Sequence, residues 1–341
     1  MEISVYKENI ENIRNYVGLG IEQLDKLILG EKQAKIAILG AFATRNNVAL
    51  ISFPGTGKSE LVNNSYRIID GVREDEVANI QASSTLSDKN LFGTTLTQTR
   101  RSIKESTEET VETDGLINTR TKIISMPEAS RLSPWAMNSL LEFLETKKVA
   151  KIGQTNQTPN QDFRSLLMAY NLTDSGDGIF DLSDAVRSRI TFSSYIGNDI
   201  DRNNRKEVRK GWLPKPDDIK TVIDLDDLDQ IGRFIKEDYV LSEKTEQSIE
   251  DLEDKARKFL KEKLSHNEGL RLTKQLSHVV KFLLAANKDN WQEFEFAGST
   301  SQSVGQVALR LILPSRFAQR GYIKHGDSPD AILDELVESV K

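Results

Sequence analysis

The sequence predicts an α/β fold built on a parallel sheet, followed by an all-helical region. Three observations predict it. Short, almost continuous apolar runs recur at Val48–Phe53, Lys122–Met126, Leu166–Tyr170 and Thr191–Tyr195. Runs of this kind suit strands buried on both faces, as in a parallel sheet. Helical patterns alternate with them, which is the order of a layered α/β chain. Beyond Asp199 the composition shifts and the patterns become helical almost throughout.

Taken in order, residues 21–44 read as one helix, with Ile21, Leu24, Ile28, Ile36 and Leu39 near helical spacing. Asn46-Asn47 marks a turn into the first buried strand. A helix follows from Glu60 to Ile69. From Thr94 to Thr121 the chain is rich in threonine and charge and poor in large apolar residues, so it is not core. It reads either as a disordered loop or as an exposed β-hairpin inserted into the domain. Ser133 is placed to cap a helix that opens on Pro134. Met137, Leu140, Leu141 and Leu144 then form one apolar stripe. Gly211–Pro216 reads as a turn or linker, and helices are expected at 226–239, 243–264, 269–287, 301–319 and 328–340. The expected domains are 1–198, an α/β core with the insert at about 94–121, and 199–341, a helical lid.

The length of 341 residues fits two domains. Lys+Arg is 46 against 52 Asp+Glu, a net charge of −6, which by itself does not mark a nucleic-acid binder. The acidity is local. Between Asp217 and Asp254 there are 14 acidic against four basic residues, a balance of −10, which leaves the rest of the chain at +4. A nucleic-acid role therefore stays undecided. The absence of cysteine excludes disulfides, thiolate catalysis and cysteine-ligated metals. His266, His278 and His325 are far apart in sequence, which argues against a histidine-rich metal site. No run approaches the ~20 apolar residues of a membrane span. Met1–Ser4 has neither the basic nor the apolar region of a signal peptide. The expected compartment is the cytoplasm, without membrane insertion.

The chemistry concentrates at Pro54-Gly55-Thr56-Gly57-Lys58-Ser59, between the first buried strand and the helix that Glu60 opens. Small residues let successive backbone N–H groups face a phosphate, and the helix N-terminus adds a favourable dipole. Lys58 reaches the β- and γ-phosphates in such a loop, and the Ser59 hydroxyl ligates Mg²⁺. The expected nucleotide contacts are Pro54, Gly55, Thr56, Gly57, Lys58, Ser59 and Glu60, with Mg²⁺ as a cofactor and Ser59 as its ligand; the loop alone does not separate kinases, GTPases and mechanical ATPases. The pattern G-x-x-x-x-G-K-[ST] lacks its first glycine, replaced by Ser52. A guanine-reading motif is missing too. The nearest match, Asn287-Lys288-Asp289-Asn290, ends in Asn and reads as a helix terminus.

Together these segments resemble the MoxR branch of the AAA+ ATPases, over about residues 10 to 320 and in the right order. Leu29-Gly30-Glu31 looks like the turn ahead of that family's first helix. Ser87-Asp88-Lys89-Asn90-Leu91-Phe92-Gly93 resembles its lead into the helix-2 insert. Ile123–Arg131 is similar to its Walker B strand and turn, and Leu140–Glu145 to the helix after it. Met168-Ala169-Tyr170-Asn171 resembles the sensor-1 strand end. Leu182–Arg189 resembles the arginine-finger segment, and Gly269-Leu270-Arg271 the sensor-2 motif. The resemblance implies an AAA+ P-loop αβα core with an all-α lid, hydrolysing ATP. Glu128 would activate the attacking water and Asn171 would hold that water or the γ-phosphate. Arg189 would reach the nucleotide of an adjacent subunit, and Arg271 would contact the same γ-phosphate from the lid. Arg131 also fits a family arginine. The resemblance further implies a homo-hexameric ring and a protein partner, of a class that often carries a von Willebrand A domain.

The chain departs from the family at Pro127, where the pattern places the Walker B Asp. Proline offers no carboxylate to hold a magnesium-bound water. Outer-shell losses at metal sites cost about 10–100-fold, or ~1.4–2.7 kcal/mol. Two readings follow: an active ATPase that remodels or activates a protein partner, and a nucleotide-binding structural or regulatory ring subunit with weak hydrolysis. A small-molecule P-loop kinase would leave the helical region, Arg189 and Arg271 without a use.

Overall fold

The structure is a computed structural model. It describes residues 3–101, 106–153, 157–172, 180–197, 202–264, 270–287, 292, 294, 302–317 and 331–340. His266, Gly269, His325, Asp199 and Lys288-Asp289-Asn290 lie outside the described residues.

Two helices, α1 (Ile3–Leu24) and α2 (Lys32–Thr44), precede strand β1 (Val48–Ser52). The single helix expected at 21–44 is therefore broken. The chain turns between the two helices through Gly30 and Glu31, both at left-handed φ (75° and 52°). The fully buried Lys35 fixes the turn from inside, donating to the Ile28 carbonyl at 2.7 Å and the Gly30 carbonyl at 2.5 Å and pairing with Asp25. Next come α3 (Lys58–Asn64), β2 (Ile69–Asp70), β3 (Val77–Asn79) and α4 (Asp88–Phe92). The helix expected from Glu60 starts two residues earlier and tightens to a 3₁₀ turn at Ser65–Ile68.

The threonine-rich insert is a hairpin of β4 (Gly93–Arg101) and β5 (Ser106–Asp114), in register from Gly93↔Asp114 to Arg101↔Ser106. It is tied down at its base. Thr95 N–H donates to the Ile152 carbonyl at 2.9 Å, and Lys151 pairs with Glu112 and Asp114, each at 2.9 Å.

The core continues with β6 (Ile123–Met126), α5 (Pro134–Thr146), the small pair β7 (Lys148–Val149) and β8 (Thr158–Pro159), β9 (Ser165–Asn171), α6 (Asp184–Arg187) and β10 (Phe192–Tyr195). Ser133 caps α5 as expected, its hydroxyl accepting from Ala136 N–H at 3.3 Å. Five strands form one parallel sheet in the order β10-β1-β9-β6-β3. Every residue of β1, β6 and β10 is buried, which is why these runs lack polar alternation.

The remainder comprises α7 (Arg202–Arg209), β11 (Ile223–Asp224), α8 (Leu225–Arg233) with a π turn at Phe234–Asp238, α9 (Glu243–Leu264), α10 (Leu270–Ala286), α11 (Val304–Ile312) and α12 (Ala331–Glu338). These helices lie where the periodicity placed them, except α7, whose sequence is nearly all polar. The helical region is fused to the sheet region. Helix α2 packs against α8, α10 and α11, helix α1 against α10, and β11 pairs with β2. The α2–α8 crossing is close: a Cβ on Gly232 would sit 2.4 Å from the Ala43 carbonyl oxygen. No helix among the described residues is long and apolar enough to cross a membrane.

Candidate functional site

The site starts where β1 ends. Gly55 and Gly57 take left-handed φ (83° and 84°), which turns the loop back so that α3 opens on Lys58. The Lys58 side chain is buried, and its Nζ donates to Ser52 Oγ at 2.6 Å and to the Phe53 carbonyl at 2.9 Å. Ser52 Oγ in turn shares a 2.5 Å hydrogen bond with Thr56 Oγ1. Among the described residues the polar partners of Lys58 Nζ are all neutral oxygens of the loop. Burial pulls the Lys58 ammonium down to about 8. A buried cation without an acid, in a glycine-rich cradle at a helix N-terminus, fits a phosphate group. The Ser59 hydroxyl is exposed beside it, in place for a cation bound to that phosphate. No cluster of three or more His, Asp or Glu poised for a metal occurs among the described residues.

Two neighbouring strands bring the other polar groups to the same edge. Asn171 closes β9 directly opposite Ser52 in register. Glu128 follows β6, which adjoins β9. Its Oε2 accepts from Arg131 Nε at 2.9 Å, with both side chains about half exposed. Between strand and Glu128 stands Pro127, so the position carries no carboxylate. Two residues earlier, the buried Ser125 donates to Asn63 on α3 at 2.8 Å and ties the strand to the helix of the loop. Ligands of open parallel sheets bind at this edge, outside the carboxyl ends of the strands.

The remaining wall was not foreseen as part of the site. A Cβ on Gly57 would meet Ile28 Cδ1 at 3.2 Å, so the 25–31 turn lies against the loop. Gly197, just past β10, similarly abuts Thr56, and its N–H donates to Glu31 Oε1 at 2.7 Å. The left-handed Glu31 thus links the turn to the end of β10. Gly30-Glu31 gave a hint of this in the sequence; Ile28 and Gly197 gave none.

Arg189 and Arg271 are brought together, but at the opposite edge. Asn47, the residue before β1, donates to the Arg189 carbonyl at 3.1 Å. The five residues of β1 separate that point from the loop, about 16 Å at ~3.3 Å per residue. Here both guanidinium groups converge on one carboxylate oxygen, Glu145 Oε1, at the end of α5. Arg271 Nη2 donates to it at 2.7 Å, and Arg189 Nη2 pairs with it as well. Arg189 Nη1 also donates to the Ala185 carbonyl at 2.7 Å, and Arg271 Nη1 to Ser188 Oγ at 3.0 Å. The segment is clamped from the helical region. Gln275 Nε2 donates to the Ser188 and Ile190 carbonyls at 2.9 and 3.2 Å, and the buried Arg316 holds Gln275 Oε1 at 2.6 Å. Glu145 is the functional candidate that sequence reasoning missed, because its partners lie 44 and 126 residues away.

Comparison with known proteins agrees with this geometry. Residues 47–190 match the AAA domain (dynein-related subfamily). The chain is 22% identical over 304 residues to the structural protein ORF618 of Acidianus two-tailed virus. That alignment takes in 89% of this chain and 45% of the relative, so the chain spans about half the relative's length. A candidate ATPase from Cytophaga hutchinsonii has a similar structure, with a TM-score of 0.70 at 20% identity, covering 100% of this chain and 99% of the other. Residues 47–190 thus resemble an AAA domain, and the chain as a whole has the fold seen in AAA+ ATPases.

Proposed function

We propose that the chain binds ATP and hydrolyses it as one subunit of a ring, in the manner of the MoxR branch, to remodel or activate a protein partner. The observation that carries this reading is the buried Lys58 ammonium in its glycine cradle, with Asn171 and Glu128 at the ends of the two adjacent strands. Lys58 would exchange its bonds to Ser52 and Phe53 for the β- and γ-phosphate oxygens. Ser59 would hold Mg²⁺, which when bound supplies charge neutralisation at the phosphates. Glu128 would take the proton of the attacking water once Arg131 gives way. Asn171 would orient that water. Arg189 and Arg271 lie too far from their own loop, so they would serve the nucleotide of the next subunit. A head-to-tail contact of this kind closes into a ring, here taken as a homo-hexamer. A partner with a von Willebrand A domain is the class the resemblance favours.

Pro127 favours a second reading, a ring subunit that binds nucleotide for structural or regulatory purposes and turns it over slowly. Mg²⁺-dependent ATP hydrolysis by wild type, Glu128→Gln and Pro127→Asp separates the two. An active ATPase loses at least about 100-fold with Glu128→Gln, the range of a positioned general base. Equal rates for wild type and Glu128→Gln would overturn catalysis at this site. A slow wild type that Pro127→Asp accelerates by about 10–100-fold supports the second reading.

A further inference from the structure

At the amino-terminal edge of the sheet, about 16 Å from the phosphate loop across the five residues of β1, lies a cavity of about 310 Å³. Its floor is the close α2–α8 crossing at Ala43 and Gly232. Cationic side chains reach it from several elements. Arg45 caps α2, Arg233 ends α8, and Lys236 sits on the π turn that follows. Behind them Arg164, 2% exposed, enters from the segment before β9. Lys147, the cap of α5, and Lys274 of α10 stand within Coulombic reach of Lys236.

The acids at this site do not balance these cations. Asp229 is shared: it accepts Arg45 Nε and Nη2 at 3.1 and 2.7 Å and Arg164 Nη2 at 2.7 Å. Arg164 Nε, though buried, has no partner among the described residues. Glu237 is the other acid at the cavity. No ion pair to Arg233, Lys236, Lys147 or Lys274 occurs among the described residues. Lys147 instead lies over the Phe163 ring, 4.2 Å from its centroid. Arg45 and Lys147 take left-handed φ (51° and 54°) as helix caps, where glycine is the usual residue. The backbone thus holds two cations in a conformation that side-chain-bearing residues rarely adopt. Two of the four basic residues in the acidic stretch 217–254, Arg233 and Lys236, face this one cavity.

From this convergence we infer that the cavity is a second anion site, which takes a small phosphate oligoanion of the pyrophosphate type. Its volume is at the lower end for small-molecule sites. Its donors are planar guanidinium groups and mobile ammonium groups, the pair of chemistries that recognises phosphate oxygens. Among the described residues no aromatic ring lines it, so they offer no stacking platform of the kind a single-stranded nucleic-acid site uses. The titration of the cluster agrees. Burial, and then the neighbouring cations, depress Lys236, hold Lys147 at about 8 and lower His278 to about 4. A bound anion would relieve that repulsion.

The test is calorimetric titration of inorganic pyrophosphate at low salt into the full chain carrying Lys58→Ala, which silences the phosphate loop. Binding should weaken by about tenfold or more when Arg233→Gln and Lys236→Gln are added, since each removes a charge-assisted bond. Neither side chain belongs to the buried core, and a thermal melt checks that the variant folds. Glu237→Gln removes the acid at the rim and should tighten binding instead. No pyrophosphate binding, or equal affinity with and without the two substitutions, overturns the site. A duplex DNA that binds, is lost with the double substitution and is not displaced by pyrophosphate overturns the small-anion reading in favour of nucleic acid.

Discussion

Lys58 is the residue on which the proposed chemistry turns, and its environment makes a pH prediction. In the folded chain it titrates near 8; its ordinary value is 10.5. Below pH 8 it is charged in both states, and the folded state carries the full burial cost. Between 8 and 10.5 only the unfolded chain holds the proton, so this residue's contribution to stability improves as pH rises through that window. Nucleotide binding runs the other way. Phosphate needs the ammonium, so binding takes up a proton once the empty loop has lost one. Raising the pH from 7 to 9 should weaken MgATP binding by about tenfold. Calorimetry in two buffers of different ionisation enthalpy should register proton uptake near pH 9. A flat affinity profile with no proton uptake would count against a phosphate-binding Lys58. Residues of this kind were readable in the sequence because their chemistry is local: Gly55, Gly57, Lys58 and Ser59 are contiguous, as are Ser133 and Pro134. Glu145 was not readable, because only the fold brings Arg189 and Arg271 to one carboxylate.

Among the elements, the β4–β5 hairpin stands apart from the core. Its nine-residue strands extend about 30 Å at ~3.4 Å per residue. Among the described residues its ties to the body are at the base, where Gly93 and Thr95 bond Ile152 and Lys151 pairs with Glu112 and Asp114. Deleting residues 97–113 removes the arm and keeps the Thr95–Ile152 and Lys151–Asp114 ties. The melting midpoint should move by less than about 4 °C, and nucleotide affinity should stay within about twofold, as expected of distant independent sites. Partner activation is where the loss should appear. A collapse of the fold would instead make the arm part of the core. The hairpin was only half legible in sequence, since its strands lack the apolar alternation that marks a half-buried strand. The buried strands β1, β6, β9 and β10 were legible for the opposite reason, being continuous apolar runs. The break at 25–31 was hidden because Leu24, Ile28 and Ile36 keep helical spacing across it. Its cause is two left-handed residues and the Lys35 bonds, and spacing records neither. Strands of two or three residues, such as β2, β3 and β11, are too short to leave a pattern.

At the scale of the whole molecule, the separation of the two polar edges decides how the proposed ATPase must work. The phosphate loop, Asn171 and Glu128 share the carboxyl ends of the strands, whereas Arg189 and Arg271 sit at the amino ends, one strand length away. Gln275 and Arg316 clamp the arginine segment there, so it does not swing round to its own nucleotide. Glu145 keeps both guanidinium groups paired meanwhile; its carboxylate and Arg271 are about half exposed while Arg189 is only 16% exposed, and the half-exposed Arg271 pair is of the kind that exchanges at a cost of about 0–1 kcal/mol. In the proposed ring a neighbour's γ-phosphate would have to displace that carboxylate. The prediction is complementation. Glu128→Gln leaves the arginines intact and disables the chain's own site; Arg189→Ala does the reverse. Each alone should be nearly inactive. An equal mixture, allowed to exchange subunits, creates junctions where an intact site meets an intact arginine. Random assembly puts such junctions at about one in four, so hydrolysis should recover to roughly a quarter of wild type. Were Arg189 to act within its own chain, the mixture would give only the sum of the two inactive proteins, because no subunit would carry both groups. Recovery that also rises with protein concentration would tie the activity to assembly, as head-to-tail packing of separated half-sites requires.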